Sequence, residues 1–222
     1  MASLLMHETV ASCVLRKIKI SNLDRFRLGN IVADARNQNN TQQEKFEKKQ
    51  RSHYLKSLGQ NFLSVQYSNF FDKNKNGMED EAVLGYYVHL LTDEIFLRKI
   101  NDKYLDYLPD GEERAMKVQQ YYRDLHRLNP HLIYEFGIRD NIDVEKAGNI
   151  SLAEIDNGDE QIIMSEMSDY FKEGHLGNEP LELLDRAEMI QTLREIGDSC
   201  IKEITELGLR EQREAIISGE GR

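Results

Sequence analysis

The sequence predicts an all-α protein, on three observations. Only three prolines, at positions 109, 130 and 180, interrupt 222 residues, and proline is the residue a helix interior tolerates least. Long stretches between them repeat their apolar residues at helical rather than alternating spacing. Residues 79–100, EDEAVLGYYVHLLTDEIFLRKI, are apolar on almost every face, as a central buried helix should be.

The elements follow in order. LLMHETVASCVLRKI places His7, Val10, Val14 and Ile18 on one helical stripe. NLDRFRLGNIVADA reads as a short helix with Gly29 near its end, leading to Asp34, and RNQNNTQQ reads as a polar loop. A helix is expected from near Gln42 through His53 to Leu58; within it EKFEKKQR mixes its charges and suits a solvated face better than a nucleic-acid patch. DGEERAMKVQQYYRDLHRLN is amphipathic, with Asp110 expected as its N-cap and an end before Pro130. Its Tyr121 and Tyr122, like Tyr86 and Tyr87, are expected in the core. Residues 137–160 are rich in Asn, Asp and Gly and read as irregular. Two further helices are expected in DEQIIMSEMSDYFKE and PLELLDRAEMIQTLREIGDSCIKEITEL, and the tail SGEGR should fray.

The chain is expected to be one helical domain, with residues 1–136 as its chemistry-bearing core and 137–222 as a helical elaboration. Its length supports a core without disulfides. Cys13 and Cys200 fit no framework spacing and are expected as free thiols, Cys13 buried beside the first helix's stripe. The opening MASLLMHETV meets a histidine and a glutamate too early for a secretion leader. Nothing approaches a run of ~18 apolar residues, so a cytoplasmic setting is expected, with no stable membrane anchor. The formal net charge of −10 opposes attraction to nucleic-acid phosphates or anionic lipid.

Two segments invite a metal. DKNKNG at 72–77 has the oxygen ligands and glycine of half a calcium loop, but the position of the bidentate glutamate falls on Val83. It is expected to be a tight turn that caps the next helix. In that helix His89 and Asp93 stand one turn apart among apolar residues, where an ionised carboxylate costs several kcal/mol unless partnered. A hydrogen-bonded His–Asp pair would satisfy both. Three further residues argue for more: His7 on the first stripe, Asp34 after GNIVA, and His53 in RSHYL each sit where an aliphatic residue would pack better. Imidazoles with carboxylates form a zinc donor set. His175, in the Gly-containing stretch KEGHLGNEP, is expected at the surface.

The order of these residues resembles the zinc-dependent phospholipase C family, which is related to the fungal single-strand nucleases: a histidine in an N-terminal helix, Asp in VADA, His in SHY, then H-x-x-x-D in GYYVHLLTDEIF. The resemblance covers roughly residues 3 to 135. It implies a helical bundle with one zinc site made by Asp34, His53, His89 and Asp93. His7 would ligate a second zinc bridged by Asp93, and Asp34 and Asp93 would serve catalysis. The secreted phospholipases also take a freed N-terminal amine as ligand, and their third zinc uses a later histidine followed by H-x-x-x-E. Here only His131 with Glu135, and His126 before them, could answer, at too short a spacing; one or two ions are expected. The implied reaction is hydrolysis of a phosphoester, a small molecule or a phospholipid head group. The HD-type phosphohydrolases need an adjacent His-Asp pair that this sequence lacks. A non-catalytic helical binding module with a structural or degenerate metal site remains the alternative.

Overall fold

The computed structural model describes residues 1–172 and 179–218, with side chains in 1–171 and 179–208. His175 and the tail beyond 218 lie outside the described residues.

The described chain is all-α apart from one hairpin. Helix α1 (Leu4–Leu15) buries most of its first two turns, including His7; Ile18 lies beyond its end. Helix α2 (Leu23–Ile31) is capped by Asn22, whose side chain accepts the Arg25 amide, and tightens into a 3-10 turn, Val32–Asp34. Helix α3 (Gln42–Ser52) opens on a reciprocal capping box between Thr41 and Glu44.

Helix α3 stops short of the expected Leu58. Tyr54 takes a left-handed backbone (φ 50°) that no helix can continue through. The chain then forms an antiparallel pair, β1 (Leu55–Gly59) and β2 (Phe62–Val65), turned by Gly59 and Gln60 at positive φ. The 72–77 segment also differs from expectation. Asp72 and Asn74 close helix α4 (Tyr67–Asn74), and Lys75–Gly77 is a 3-10 turn, so no calcium-type loop forms there. The cap of the next helix is Asp80. Its carboxylate accepts the Ala82 amide and is gripped by Arg25 through two 2.6 Å bonds.

Helix α5 (Glu81–Phe96) is the central helix, buried at every position from 85 to 93, and continues in π-helical winding over Leu97–Asp106. It crosses α2 at unusually close range. A Cβ on Gly29 would lie 2.2 Å from the Ala82 carbonyl oxygen, and one on Gly85 would lie 2.1 Å from that of Phe26. Only glycine at both positions allows this crossing.

Helix α6 (Glu112–Phe136) begins after Gly111, not Asp110, and runs through Pro130. Leu125, Leu128, Leu132 and Phe136 are buried along it. That stripe outweighs the roughly 3 kcal/mol a mid-helix proline costs, and the helix ends at left-handed Gly137 (φ 66°). The stretch expected to be irregular contains a short α7 (Val144–Ala147). Helix α8 (Asp159–Lys172) follows. Helix α9 (Arg186–Ser218) starts later than expected, on Asp185, whose side chain accepts the Glu188 amide. The preceding segment is pinned to α6 by buried Asp124, which accepts the amides of Glu182, Leu183 and Leu184.

Helix α9 packs across α1 and α5, with Gly197 against Cys13. Both cysteines are free. Cys13 is half-buried rather than buried, because it flanks the stripe instead of lying on it. Burial pushes the Cys200 thiol up to about 12. Tyr86, Tyr87 and Tyr121 are core residues, whereas Tyr122 is 58% exposed. Among the described residues no helix is long and apolar enough to cross a membrane.

Candidate metal centre

Four elements deliver five side chains to one point inside the protein. His7 comes from α1, Asp34 from the 3-10 turn after α2, His53 from the residue that ends α3, and His89 with Asp93 from α5. His7, His89 and Asp93 have no exposure, His53 has 1% and Asp34 9%. The rings of His7 and His89 stack at 3.8 Å, and His53 meets His89 edge-on at 5.0 Å.

Their spacing is not that of a hydrogen-bonded cluster. His7 Nε2 lies 3.6 Å from Asp93 Oδ1 and 3.7 Å from Asp34 Oδ2. His53 Nε2 lies 3.2 Å from Asp34 Oδ1 and 3.7 Å from Asp93 Oδ2, and His89 Nε2 lies 3.6 Å from Asp93 Oδ2. Most of these separations exceed hydrogen-bond range. They match the edges of a coordination polyhedron: bonds of ~2.0–2.1 Å in tetrahedral geometry place donor atoms roughly 3.3–3.4 Å apart. Both nitrogens of His7, His89 Nε2 and Asp93 Oδ2 are buried without any hydrogen-bond partner. Orphaned buried polar atoms are costly and rare in a folded protein. Here His7 Nε2, His89 Nε2 and Asp93 Oδ2 face one space, and a cation there would satisfy these three together. His7, His89 and Asp93 form one group able to hold a metal ion, and Asp34, His53 and His89 form another.

The surroundings hold the rings in place. His89 Nδ1 pairs with the Asn30 carbonyl oxygen at 2.8 Å, which makes Nδ1 the donor and turns the Nε2 lone pair inward. That bond depends on the close α2–α5 crossing at Gly29 and Gly85. Asn30 in turn donates its side-chain amide to the His7 carbonyl at 2.9 Å. Ser52 Oγ lies 2.8 Å from His53 Nδ1 and donates to the Ala33 carbonyl, so Nδ1–H donates to Ser52 and Nε2 faces the carboxylates. Tyr86 donates to the Ser52 carbonyl at 2.7 Å and so ties α5 to the end of α3. The Ala2 amide donates to Asp93 Oδ1 at 2.8 Å.

Burial of Asp34 and Asp93 works against their ionisation. For Asp34 the 3.2 Å contact with His53 and the fields of the three imidazoles outweigh it; for Asp93 the nearby His7 does so, with His89 and His53 adding. Both carboxyls are held below the usual range. Burial pulls His89 down to about 3, with His7 adding to the effect. A histidine lowered from 6.5 in this way binds its proton in the unfolded chain before it does in the fold. Its contribution to stability is intact above about 6.5 and falls by up to a few kcal/mol as pH drops toward 3. Imidazole nitrogen shifts of the metal-free protein should show His89 neutral at pH 5. Protonation of His89 near pH 6.5 would contradict this.

Among the described residues His126, His131 and Glu135 are not gathered into a third group of donors. Glu135 is engaged by Arg194 at 2.6 Å, His131 lies 3.5 Å from an Arg186 nitrogen, and His126 is exposed. Neither group able to hold a metal contains any of the three.

Two clefts reach the centre at Asp34, its least buried member. The larger, about 400 Å³, runs along Ser3, Tyr122, His126 and Asn129; the smaller, about 290 Å³, runs along α3 past Lys45 and Phe46. Arg36 and Lys49 line both. Neither stood out in the sequence, because Lys49 sits in the mixed-charge run of α3 and Arg36 opens a polar loop. Asn30 and Ser52 were equally silent, since a residue that orients a ligand carries no spacing of its own.

These features define a protein of the all-α class, with one short hairpin, whose buried His/Asp centre is able to hold a metal ion. Comparisons of the chain with protein-family models, curated proteins and solved structures find no match in any of the three.

Proposed function

We propose that the chain is a zinc-dependent hydrolase of phosphoesters, of the phospholipase C kind that the sequence order resembles. The observation that supports this most is the set of orphaned imidazole and carboxylate atoms spaced like ligands around a shared space. Asp34, His53, His89 and Asp93 would hold one ion, and His7 with Asp93 a second. Three imidazoles favour zinc over magnesium or calcium, which prefer oxygen donors alone. Zinc supplies Lewis acidity toward a phosphoryl oxygen and toward water.

The protein's own residues do the rest. Asp34, which lines both clefts, would orient an incoming water. Asn30 and Ser52 fix the imidazoles, and the apolar shell of α1 and α5 excludes bulk solvent. A cleft of about 400 Å³ suits a small phosphoester or a lipid head group. The net charge of −10 disfavours nucleic acid. Free thiols fit a cytoplasmic setting.

The depth of the centre favours one other reading, a structural zinc site in a binding module, since four of the five donors are within 1% of full burial. Hydrolysis of 4-nitrophenyl phosphate and bis(4-nitrophenyl) phosphate by zinc-loaded protein separates the two. Turnover of either that is lost to a chelator and restored by zinc is expected. Stoichiometric zinc without turnover would favour the structural reading.

A further inference from the structure

The two clefts have three lining residues in common: Asp34, Arg36 and Lys49. The edge of the metal centre, exposed Arg36 and half-buried Lys49 therefore form the wall that the clefts share, with the carboxylates of Glu166 and Asp169 farther along the larger one. Lys49 projects from α3, and among the described residues its ammonium makes no hydrogen bond or ion pair. Burial pulls its pKa down and the field of Arg36 adds to this, while the fields of Asp34 and Asp93 oppose it, which places the ammonium within electrostatic reach of both Arg36 and the centre. Other lysines of the same helix are engaged: Lys45 donates to the Gln38 carbonyl, and Lys48 pairs with Asp156 and Asp159. On a chain of net charge −10, an uncommitted half-buried lysine is conspicuous. The larger cleft also holds buried polar atoms with no partner, Ser3 Oγ and Asn129 Oδ1.

We infer that Lys49 and Arg36 are positioning residues that grip the non-bridging oxygens of a phosphoryl group at this shared wall, beside Asp34. The inference rests on the phosphoester reading above and deepens it. A planar guanidinium and a point-charge ammonium together suit an anion with several equivalent oxygens. The ester substituent then lies in the larger cleft, where Ser3 and Asn129 meet polar groups and Tyr122 offers an aromatic wall. Neither cation is asked to transfer a proton; each holds charge where the reacting group must sit.

The test measures inorganic phosphate binding by calorimetry on zinc-loaded wild type, Lys49→Met, Lys49→Arg and Arg36→Met, with zinc content determined for each. Lys49→Met and Arg36→Met are expected to keep wild-type zinc and bind phosphate ~10–100-fold more weakly, in line with the loss of a charge-assisted hydrogen bond. Lys49→Arg should recover most of the affinity. With 4-nitrophenyl phosphate the methionine variants should raise KM more than they lower kcat. Lys49→Met and Arg36→Met with full zinc and wild-type phosphate affinity would overturn this inference and leave the metal reading standing. Wild-type protein that takes up no zinc would overturn the metal reading itself, and this inference with it.

Discussion

His89→Ala is expected to lose at least nine-tenths of the bound metal and to unfold at lower urea than the wild type. His89 belongs to both groups of donors able to hold a metal, so its loss damages each. Removing a ligand also leaves Asp34 and Asp93 buried with fewer partners, and breaking a buried charged network costs ~3–5 kcal/mol. The Asn30 carbonyl loses its 2.8 Å contact as well, which adds ~1–3 kcal/mol for an unsatisfied buried group. His131→Ala should change neither metal content nor midpoint, because that residue lies on α6 away from both groups. Elemental analysis of the two variants decides the matter. A His89→Ala protein with its full metal complement would show that the donors are not acting together.

Gly85→Ala is expected to be nearly as damaging, with no change in any donor. The new methyl would lie 2.1 Å from the Phe26 carbonyl oxygen and 2.9 Å from the Asn30 nitrogen, both backbone atoms that cannot rotate aside. Helices α2 and α5 must separate, at a cost of ~3 kcal/mol or more. Because His89 is held by the Asn30 carbonyl across this crossing, zinc affinity should fall together with the urea midpoint. Gly208→Ala is the control, since a Cβ there meets nothing within 4 Å and alanine favours a helix by ~1 kcal/mol. Wild-type stability in Gly85→Ala would refute the close crossing.

The helical class and the five converging residues were legible because each left a local mark. His7, His89 and Asp93 interrupt apolar helical patterns, and a polar residue in a buried stripe is visible without a structure. The elements misread were those decided by long-range packing or by single backbone angles. Leu55 to Leu58 would suit a helix as well as a strand, and only left-handed Tyr54 and pairing with Phe62–Val65 settle the question. Pro130 normally ends a helix, but the buried stripe on α6 carries the chain through it. The two glycines that set the site's geometry were invisible in role, since their meaning lies in the distance between two helices. Lys49 was hidden for the opposite reason: its neighbours in sequence are solvated, and only the fold turns it toward Asp34.

The buried imidazoles and carboxylates are expected to hold a transition metal. Elemental analysis of the purified wild-type chain after gel filtration, with a zinc titration followed by calorimetry, tests this most directly. One or two zinc ions per chain are expected, bound stoichiometrically and displaced by acid as the imidazoles protonate. A chain that emerges free of metal and takes up zinc no more tightly than the triple variant His7→Ala, His53→Ala, His89→Ala would contradict this.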